Sequence, residues 1–338
     1  MIMADMVVIL GPTATGKTKL AIEIALAING EIVNADSRQV YRFMDIGTAK
    51  PTQDECSRAT HHLIDILNPD EMYSAGKFIS DAHTTIKQIR ERGAVPILAG
   101  GTGQYIWSLL EGWSVPVVPP NDAFRAQKEE QAARHGYQLL YDELQELDVE
   151  RASQIDPRNV RRVIRALEII HVGGIKPSEV TSKVDENYSP VIIGLTMNRS
   201  DLYAKIDHRV DEMMNMGLLE EVRRLREMGY HPGKGALDSP GYRELGDYLS
   251  DSLSLQEAVE KAKYQTHKLA RRQYTWFKKD DARIHWLDSS HLDVSTKAHR
   301  LLSQTYPQAS LLYNYCPPSL FVRSGIHREI YENARRRQ

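Results

Sequence analysis

Short apolar runs alternate with amphipathic stretches over the first hundred residues. The runs "VVIL" (7–10), "EIVNADS" (31–37) and "AVPILAGG" (94–101) are typical of buried strands. Apolar residues recur at helical spacing to about Ile28, and a long helical stretch follows the second run and ends near Gly93. This order predicts an α/β fold, a parallel sheet flanked by helices on both faces.

Each predicted strand is followed by a loop rich in glycine or short polar residues. Parallel strands place their carboxyl ends at one edge of the sheet, where ligands bind in folds of this type. We therefore expect the functional residues in the loops 11–18, 36–50 and 100–105.

The pattern changes at about Pro116, where prolines precede a polar helical texture that lasts until about Val184. "SPVIIGLTM" (189–197) then returns to an apolar strand, and "RIHWLD" (283–288) is the expected last strand. The simplest interpretation is an all-helical insertion in the α/β domain. The predicted organisation is a core of 1–115 and 187–288, an insertion of 116–186, and a tail of 289–338 without an assigned role.

Composition narrows the class of protein without indicating a ligand. The 338 residues are 41% hydrophobic and 26% charged, which is typical of a soluble globular protein. The formal charge is −2, so any surface for nucleic acid must be local. Cys56 and Cys316 lack metal-ligand spacing, and the N-terminus has no export signal or membrane anchor. These features predict a cytoplasmic protein.

The stretch "GPTATGKT" (11–18) matches the P-loop pattern and joins a predicted strand to a predicted helix. In that context the backbone N–H groups at the helix N-terminus cradle a phosphate, so the fold is expected to be P-loop NTPase-like. A nucleoside triphosphate such as ATP is the ordinary ligand of such a loop. The predicted phosphate-binding residues are Gly11, Pro12, Thr13, Ala14, Thr15, Gly16, Lys17 and Thr18.

The sequence departs from an ordinary P-loop ATPase at the second acidic group. The strand that should carry a Mg²⁺-supporting carboxylate ends in glycines and Thr102 instead. The acid is Asp36, which is followed by Ser37, Arg38 and Gln39, a cluster suited to the edge of a planar heterocycle. The alternative interpretation is that Asp36 is only a capping residue at a strand–helix turn.

Eight separated stretches together resemble the tRNA dimethylallyltransferases, also called tRNA isopentenyltransferases. They span about residues 7–288 in the order that the family shows, and the combination of "DSRQVY", "DIGTAKP" and "RRQ-TWF" is specific. The stretches are "GPTATGKT" (11–18), "NADSRQVYRFMDIGTAKP" (34–51), "HHLIDILNPDEMYSAGKF" (61–78), "GGTGQY" (100–105), "DPRNVRRVIRALEI" (156–169), "GLLEEV" (217–222), "GYRE" (241–244) and "ARRQYTWFKK" (270–279).

The resemblance implies transfer of a dimethylallyl group from dimethylallyl diphosphate to N6 of the adenosine immediately 3′ of the anticodon. The substrates would be tRNAs that read codons beginning with U, and diphosphate would be released. Lys17 would neutralise charge on the leaving group, and Thr18 would hold Mg²⁺. Asp36 would accept the N6 proton, and Thr102 would fix the flipped base.

Further site residues follow from the same resemblance. Lys205 and Arg209 stand where the family carries two arginines that face the diphosphate. The segment 161–165 matches a tRNA-contacting part of the insertion. The residues expected to contact tRNA are Asp36, Ser37, Arg38, Gln39, Thr102, Arg161, Arg162, Val163, Ile164, Arg165, Arg271 and Arg272.

Some positions depart from the family pattern, and other functions stay open. Lys205 loses the bidentate fork of an arginine, while Gln104, His267 and Pro240 replace the usual leucine, arginine and isoleucine. The basic runs could also be solvated helix faces. The rival functions are a prenyltransferase of free adenine nucleotide, a P-loop kinase of small metabolites, and an RNA-binding switch without catalysis. We expect a monomer, and no zinc site involving the tail residue Cys316.

Overall fold

The alternating pattern forms a parallel six-stranded sheet in the computed structural model, which describes residues 4–113, 118–179, 188–233 and 235–306. The sheet order is β3-β2-β4-β1-β5-β6, and every pair of neighbours is parallel. The predicted fold class is confirmed. The strands are β1 (Met6–Leu10), β2 (Gly30–Asn34), β3 (His61–His62), β4 (Val95–Gly100), β5 (Pro190–Thr196) and β6 (Ile284–Asp288).

Thirteen α-helices accompany the sheet in the described residues. They are α1 (Lys17–Ile28), α2 (Gln53–Arg58), α3 (Ala75–Glu91), α4 (Gly103–Leu110), α5 (Asp122–His135), α6 (Tyr137–Leu147), α7 (Val149–Ser153), α8 (Val160–Gly173), α9 (Arg199–Asn215), α10 (Leu218–Glu227), α11 (Tyr242–Tyr248), α12 (Leu255–Trp276) and α13 (Val294–Ser303). In the described chain none of them is both long and apolar enough to cross a bilayer.

The central strand β1 sets the position of the site. All five of its residues are buried because it lies between β4 and β5, with Val7 opposite both Ile97 and Val191. Helix α1 packs its apolar side on this strand in the largest cluster of the core. The carboxyl ends of β1, β2 and β4 therefore open side by side, as the sequence predicts.

The stretch between β2 and α3 is less helical than the pattern predicts. Only α2 and the two-residue strand β3 interrupt a run of loops before α3 begins at Ala75. Helix α2 begins with a capping box between Thr52 and Glu55. Strand β3 is too short to leave a periodic signal, since it has only two residues.

The chain divides into two compact units. One unit takes in 1–73, 80–106 and 188–338, and the other takes in 74–79 and 107–187. The second unit has its own core of α5–α8 residues, and its segments extend beyond the insertion of 116–186 expected from the sequence. Cys316 lies outside the described residues, so the expectation of no zinc site stays a prediction.

Candidate active site

The P-loop connects β1 to α1 through backbone conformations that favour glycine. Gly11 has a φ of +143°, and a Cβ at this position would lie 2.4 Å from the carbonyl oxygen of Leu195. Gly16 is left-handed with a φ of +87° and stands at the N-cap of α1 without a side-chain cap. The first N–H groups of α1 are therefore left for an anion, as the motif predicts.

Lys17 is drawn back over this loop. Its Nζ donates to the carbonyl oxygen of Pro12 at 2.8 Å, and the Thr15 hydroxyl donates to the same oxygen at 2.9 Å. Burial lowers the pKa of Lys17 to about 8, with a smaller opposing effect of Asp36 and a further lowering by Arg209. Within the part of the chain that the structure describes, the ammonium group makes no ion pair, and a bound phosphate would supply one.

Asp36 lies in a tight turn at the end of β2. Its N–H donates to Asn34 Oδ1 at 3.1 Å, and its own Oδ1 accepts from the N–H of Arg38 at 2.9 Å. The capping role that the sequence left open is therefore present. It also orients the carboxyl group, because Oδ1 is fixed by the turn while Asp36 lines the cavity described below.

Thr102 begins the turn after β4 and is tied to the Asp36 turn. Its N–H donates to the Ala35 carbonyl oxygen at 3.1 Å, and its Oγ1 accepts from the N–H of Ser37 at 2.9 Å. A hydroxyl that accepts one bond still carries a proton to donate. Thr102 can therefore offer a hydrogen bond from a fixed position.

A cavity of about 500 Å³ opens between these loops and α9. It brings together most of the residues predicted to bind diphosphate with the predicted base. Burial lowers the pKa of Arg209, and Asp36 opposes that effect. Predicted residues that line the cavity are Thr13, Ala14, Gly16, Lys17, Thr18, Asp36, Gln39, Lys205 and Arg209; those outside the lining are Gly11, Pro12, Thr15, Ser37, Arg38 and Thr102.

Sequence reasoning missed Gln273, which joins the two glycine loops. Its Oε1 accepts from the Thr13 N–H at 2.8 Å, and its Nε2 donates to the Gly101 carbonyl oxygen at 3.0 Å. The side chain is only 7% exposed. A signal existed, because Gln273 shares the buried face of α12 with Ala262 and Ala270. A polar residue in that register has to find buried partners.

The other predicted residues of α12 point away from this face. Arg271 and Arg272 are exposed on either side of the buried ridge that Gln273 belongs to. Both guanidinium groups are therefore accessible to phosphate. Arg272 directly precedes Gln273, which holds the P-loop.

The basic segment of α8 separates into exposed and buried positions. Arg161 and Arg162 are exposed, whereas Val163 and Ile164 are 1% and 3% exposed in the core of the helical unit. Arg165 donates to the Glu168 carboxylate and to the Val118 carbonyl oxygen. Within 161–165, the side chains accessible to RNA are those of the first two arginines.

Glu168 explains why Arg165 is engaged. Its carboxylate is fully buried and accepts two bonds of 2.9 Å from Arg125 and one of 2.6 Å from the Asn121 N–H. Burial alone would raise the pKa of this carboxyl group, but the hydrogen bonds from Arg125, Asn121 and Arg165 outweigh it and lower the pKa. All of these partners lie within the helical unit, and removing one of them would leave a buried charge without full compensation.

The N-terminus of α1 and an oriented carboxylate line one cavity at the edge of a parallel sheet, an arrangement typical of a P-loop-like fold. The family model described as IPP transferase matches residues 39–280. This chain therefore belongs to the IPP transferase family, and the resemblance found in the sequence is confirmed.

Curated relatives and solved structures agree with this family. The tRNA dimethylallyltransferase of Thermomicrobium roseum is 48% identical over 282 residues, which cover 83% of this chain and 85% of the relative. That of Roseiflexus castenholzii is 45% identical over 304 residues, or 90% and 99%. The tRNA isopentenylpyrophosphate transferase of Bacillus halodurans has a TM-score of 0.66 at 37% identity, with 92% of this chain and 99% of that chain covered.

A second solved structure is also similar to this chain. It is a eukaryotic dimethylallyltransferase described as acting on tRNA, and it has a TM-score of 0.74 at 28% identity. The comparison covers 88% of this chain and 77% of that chain. The similarity therefore extends over the core and most of the remaining chain.

Proposed function

We propose that this protein transfers a dimethylallyl group from dimethylallyl diphosphate to N6 of the adenosine immediately 3′ of the anticodon. The tRNAs concerned are those that read codons beginning with U. The allylic C–O bond breaks, an N6–C bond forms, and the N6 proton leaves. The observation that carries this proposal is the presence of Asp36 and the P-loop in one cavity.

The leaving group accounts for the cations of the cavity. A diphosphate at the N-terminus of α1 accepts hydrogen bonds from backbone N–H groups and attracts Lys17, Lys205 and Arg209. Charge builds up on the diphosphate as the C–O bond breaks, so cations already in place favour the transition state. No hydrolytic apparatus is needed, because the amine attacks carbon.

Asp36 supplies the base for the acceptor. The lone pair of an exocyclic adenine amine is delocalised into the ring, so attack needs removal of the N6 proton. The Asp36 carboxylate, oriented by the Arg38 N–H, takes this proton. Thr102 donates a hydrogen bond to the flipped base from the position that Ser37 fixes.

The donor set also fits Mg²⁺. The Thr18 hydroxyl lies in the first turn of α1 and lines the cavity, as the Asp36 carboxylate does. Magnesium prefers oxygen ligands and commonly takes most of them from water and substrate phosphates. Thr18 would hold the ion, which when bound supplies further positive charge to the diphosphate.

We assign tRNA capture to the exposed cations of α8 and α12, namely Arg161, Arg162, Arg271 and Arg272. Because the substrate is tRNA, we further propose that the protein acts in the cytoplasm, as a monomer.

The deciding experiment is a transfer assay with labelled dimethylallyl diphosphate and Mg²⁺. Unmodified tRNA is offered in one reaction and free AMP in another. Label in tRNA alone supports the proposal. Label in AMP alone would assign the protein to the nucleotide prenyltransferases, and ATP consumption without label transfer would indicate a kinase.

The base assignment is tested with Asp36→Ala. We expect kcat to fall by about 10²–10⁴-fold, the usual contribution of a positioned base, while tRNA still binds. The matched control is Asp70→Asn, which changes an exposed aspartate of the same unit. Normal turnover in Asp36→Ala would refute the assignment.

The RNA contacts are tested with the pair Arg161→Ala and Arg162→Ala. We expect weaker tRNA binding, and a slope of log K against log salt that is shallower by roughly 1–2. Arg165→Ala is the comparison within α8, because its guanidinium is held by Glu168. That variant should lower the melting temperature and leave the salt slope unchanged.

A further inference from the structure

Glu221 is a buried carboxylate that the reaction described above does not use. It is 2% exposed and lies on α10, within an apolar cluster formed with α11 and the segment 40–46. A buried carboxylate is costly unless its oxygens are hydrogen-bonded. Its partners therefore show what it holds in place.

All of its close partners are neutral donors. Oε2 accepts from the N–H groups of Asp45 at 3.0 Å and Ile46 at 2.9 Å. Oε1 accepts from the Gly47 N–H at 3.1 Å and from the Tyr242 hydroxyl at 2.6 Å. Three consecutive N–H groups thus converge on one carboxylate, which fixes the path of the loop.

The Tyr242 ring fixes the same loop by contact. A Cβ at Gly47 would lie 2.5 Å from the ring, so the backbone there rests directly on the aromatic face. Burial and the Glu221 carboxylate raise the pKa of Tyr242 well above its usual range, so the hydroxyl remains a donor. Contact and hydrogen bonds therefore act together on the loop.

The loop continues into a wall of the active-site cavity. Gln39 Nε2 donates to the carbonyl oxygens of Thr48 at 3.1 Å and Ala49 at 3.0 Å, and all three residues line that cavity. Ala49 is left-handed, with a φ of +49°, a conformation that persists only where the surroundings impose it. The wall thus depends on the anchoring of residues 45–47.

We propose that Glu221 is a positioning residue for prenyl transfer, which together with Tyr242 anchors residues 45–47 and so sets the place of Gln39, Thr48 and Ala49 around the substrates. This role rests on the proposed function. It predicts that the chemical step suffers while the P-loop, which Pro12 and Gln273 hold, still binds diphosphate.

The test measures kcat, the KM for tRNA and the Kd for inorganic diphosphate in the full-length protein. Glu221→Gln keeps the volume but places an NH₂ group against an N–H donor. We expect kcat/KM for tRNA to fall by about tenfold or more, with the diphosphate Kd within about twofold of the wild type. Glu220→Gln is the matched control, because that neighbouring carboxylate is exposed and should leave every constant unchanged.

A second variant, Gly47→Ala, changes the loop where it contacts Tyr242. It keeps the proposal testable if Glu221→Gln does not fold. Gly47→Ala leaves the carboxylate intact and presses a methyl group on Tyr242, so it should give the same loss of kcat/KM with diphosphate binding retained. Wild-type kinetics in either variant would overturn the proposal. So would parallel loss of diphosphate binding and turnover in both. Prenyl transfer by the wild-type protein is measured first. Absence of that activity would count against the proposed function and not against the role of Glu221.

Discussion

Two glycine-rich loops leave neighbouring strands at the same edge of the sheet, and they use their backbones in opposite ways. The loop after β1 (11–18), which we call the open loop, begins α1 at Gly16 without a side-chain cap, so the first N–H groups of this helix have no capping side chain. The turn after β4 (101–102), which we call the supporting turn, uses its polar groups within the protein. Thr102 bonds to Ala35 and Ser37, and Gly101 bonds to Gln273. Loops of similar composition therefore differ in their contacts: one leaves the first N–H groups of a helix uncapped, and the other bonds within the protein.

The difference between the two loops follows from the contacts that each one makes. Gly16 is left-handed and has no side chain to cap α1, so the first N–H groups of this helix lack a capping acceptor. Gly101 is packed so closely that a Cβ would lie 2.3 Å from Gln273 Nε2. A glycine motif alone predicts a turn, and its partners decide whether the turn binds a ligand.

Among the changes that compare the two loops, the largest effect is expected at the open loop, with Lys17→Met. Removing the cation that meets the leaving group should lower kcat by about 10²–10³-fold, in the range found for other preorganised charge stabilisers. Turnover is measured at saturating tRNA and dimethylallyl diphosphate. Lys87→Met, which changes an exposed lysine of α3, serves as the control. A loss of less than about threefold would mean that the first loop also has only a supporting role.

The supporting turn is tested with Gln273→Leu. This change removes both amide bonds and leaves the Thr13 N–H and the Gly101 carbonyl oxygen without their partner. We expect a rise of about tenfold in the diphosphate Kd and a comparable fall in kcat, since two buried hydrogen bonds are lost. Calorimetry and steady-state rates measure the two constants.

Gln256→Leu provides the matched control, because Gln256 is exposed in the first turn of the same helix. If Gln273→Leu lowered only the melting temperature and left both constants unchanged, the two loops would be independent. Gln273 would then not couple the open loop to the supporting turn.

The sequence predicted the position of the open loop better than the contacts of the supporting turn. The P-loop motif fixes its own conformation through local glycines, so its residues and the preceding strand could be recognised from short-range pattern. Gln273 lies 260 residues from Thr13 in the chain, and only tertiary packing brings the two together. The same holds for Glu221, whose loop partners are 174–176 residues away.

Residues 161–165 belong to one sequence motif, but they differ in burial. Within 161–165, the helical period directs Arg161 and Arg162 outward and Val163 and Ile164 into the core. The division of labour between these residues therefore follows from the register of α8. The engagement of Arg165 by Glu168 depends on packing, because a basic run does not reveal which of its members is paired.

The effect that should be smallest near neutral pH concerns the charge state of Lys17 in the open loop. Burial lowers the pKa of Lys17 from 10.5 to about 8 in the free protein. Below pH 8 the lysine is protonated and attracts diphosphate. Above pH 8 binding must first restore the proton, so the diphosphate Kd should rise by up to about tenfold per pH unit, since a bound anion raises the lysine pKa again.

The measurement compares the diphosphate Kd of the wild type with that of Lys17→Arg between pH 7 and about 9.5. Arginine keeps its charge throughout this range, so the ratio of the two Kd values cancels the titration of the ligand itself. The ratio should be flat below pH 8 and should increase above it. A ratio that stays flat to the upper limit would mean either that Lys17 stays protonated over this range or that Lys205, Arg209 and the backbone N–H groups of α1 carry the binding without it.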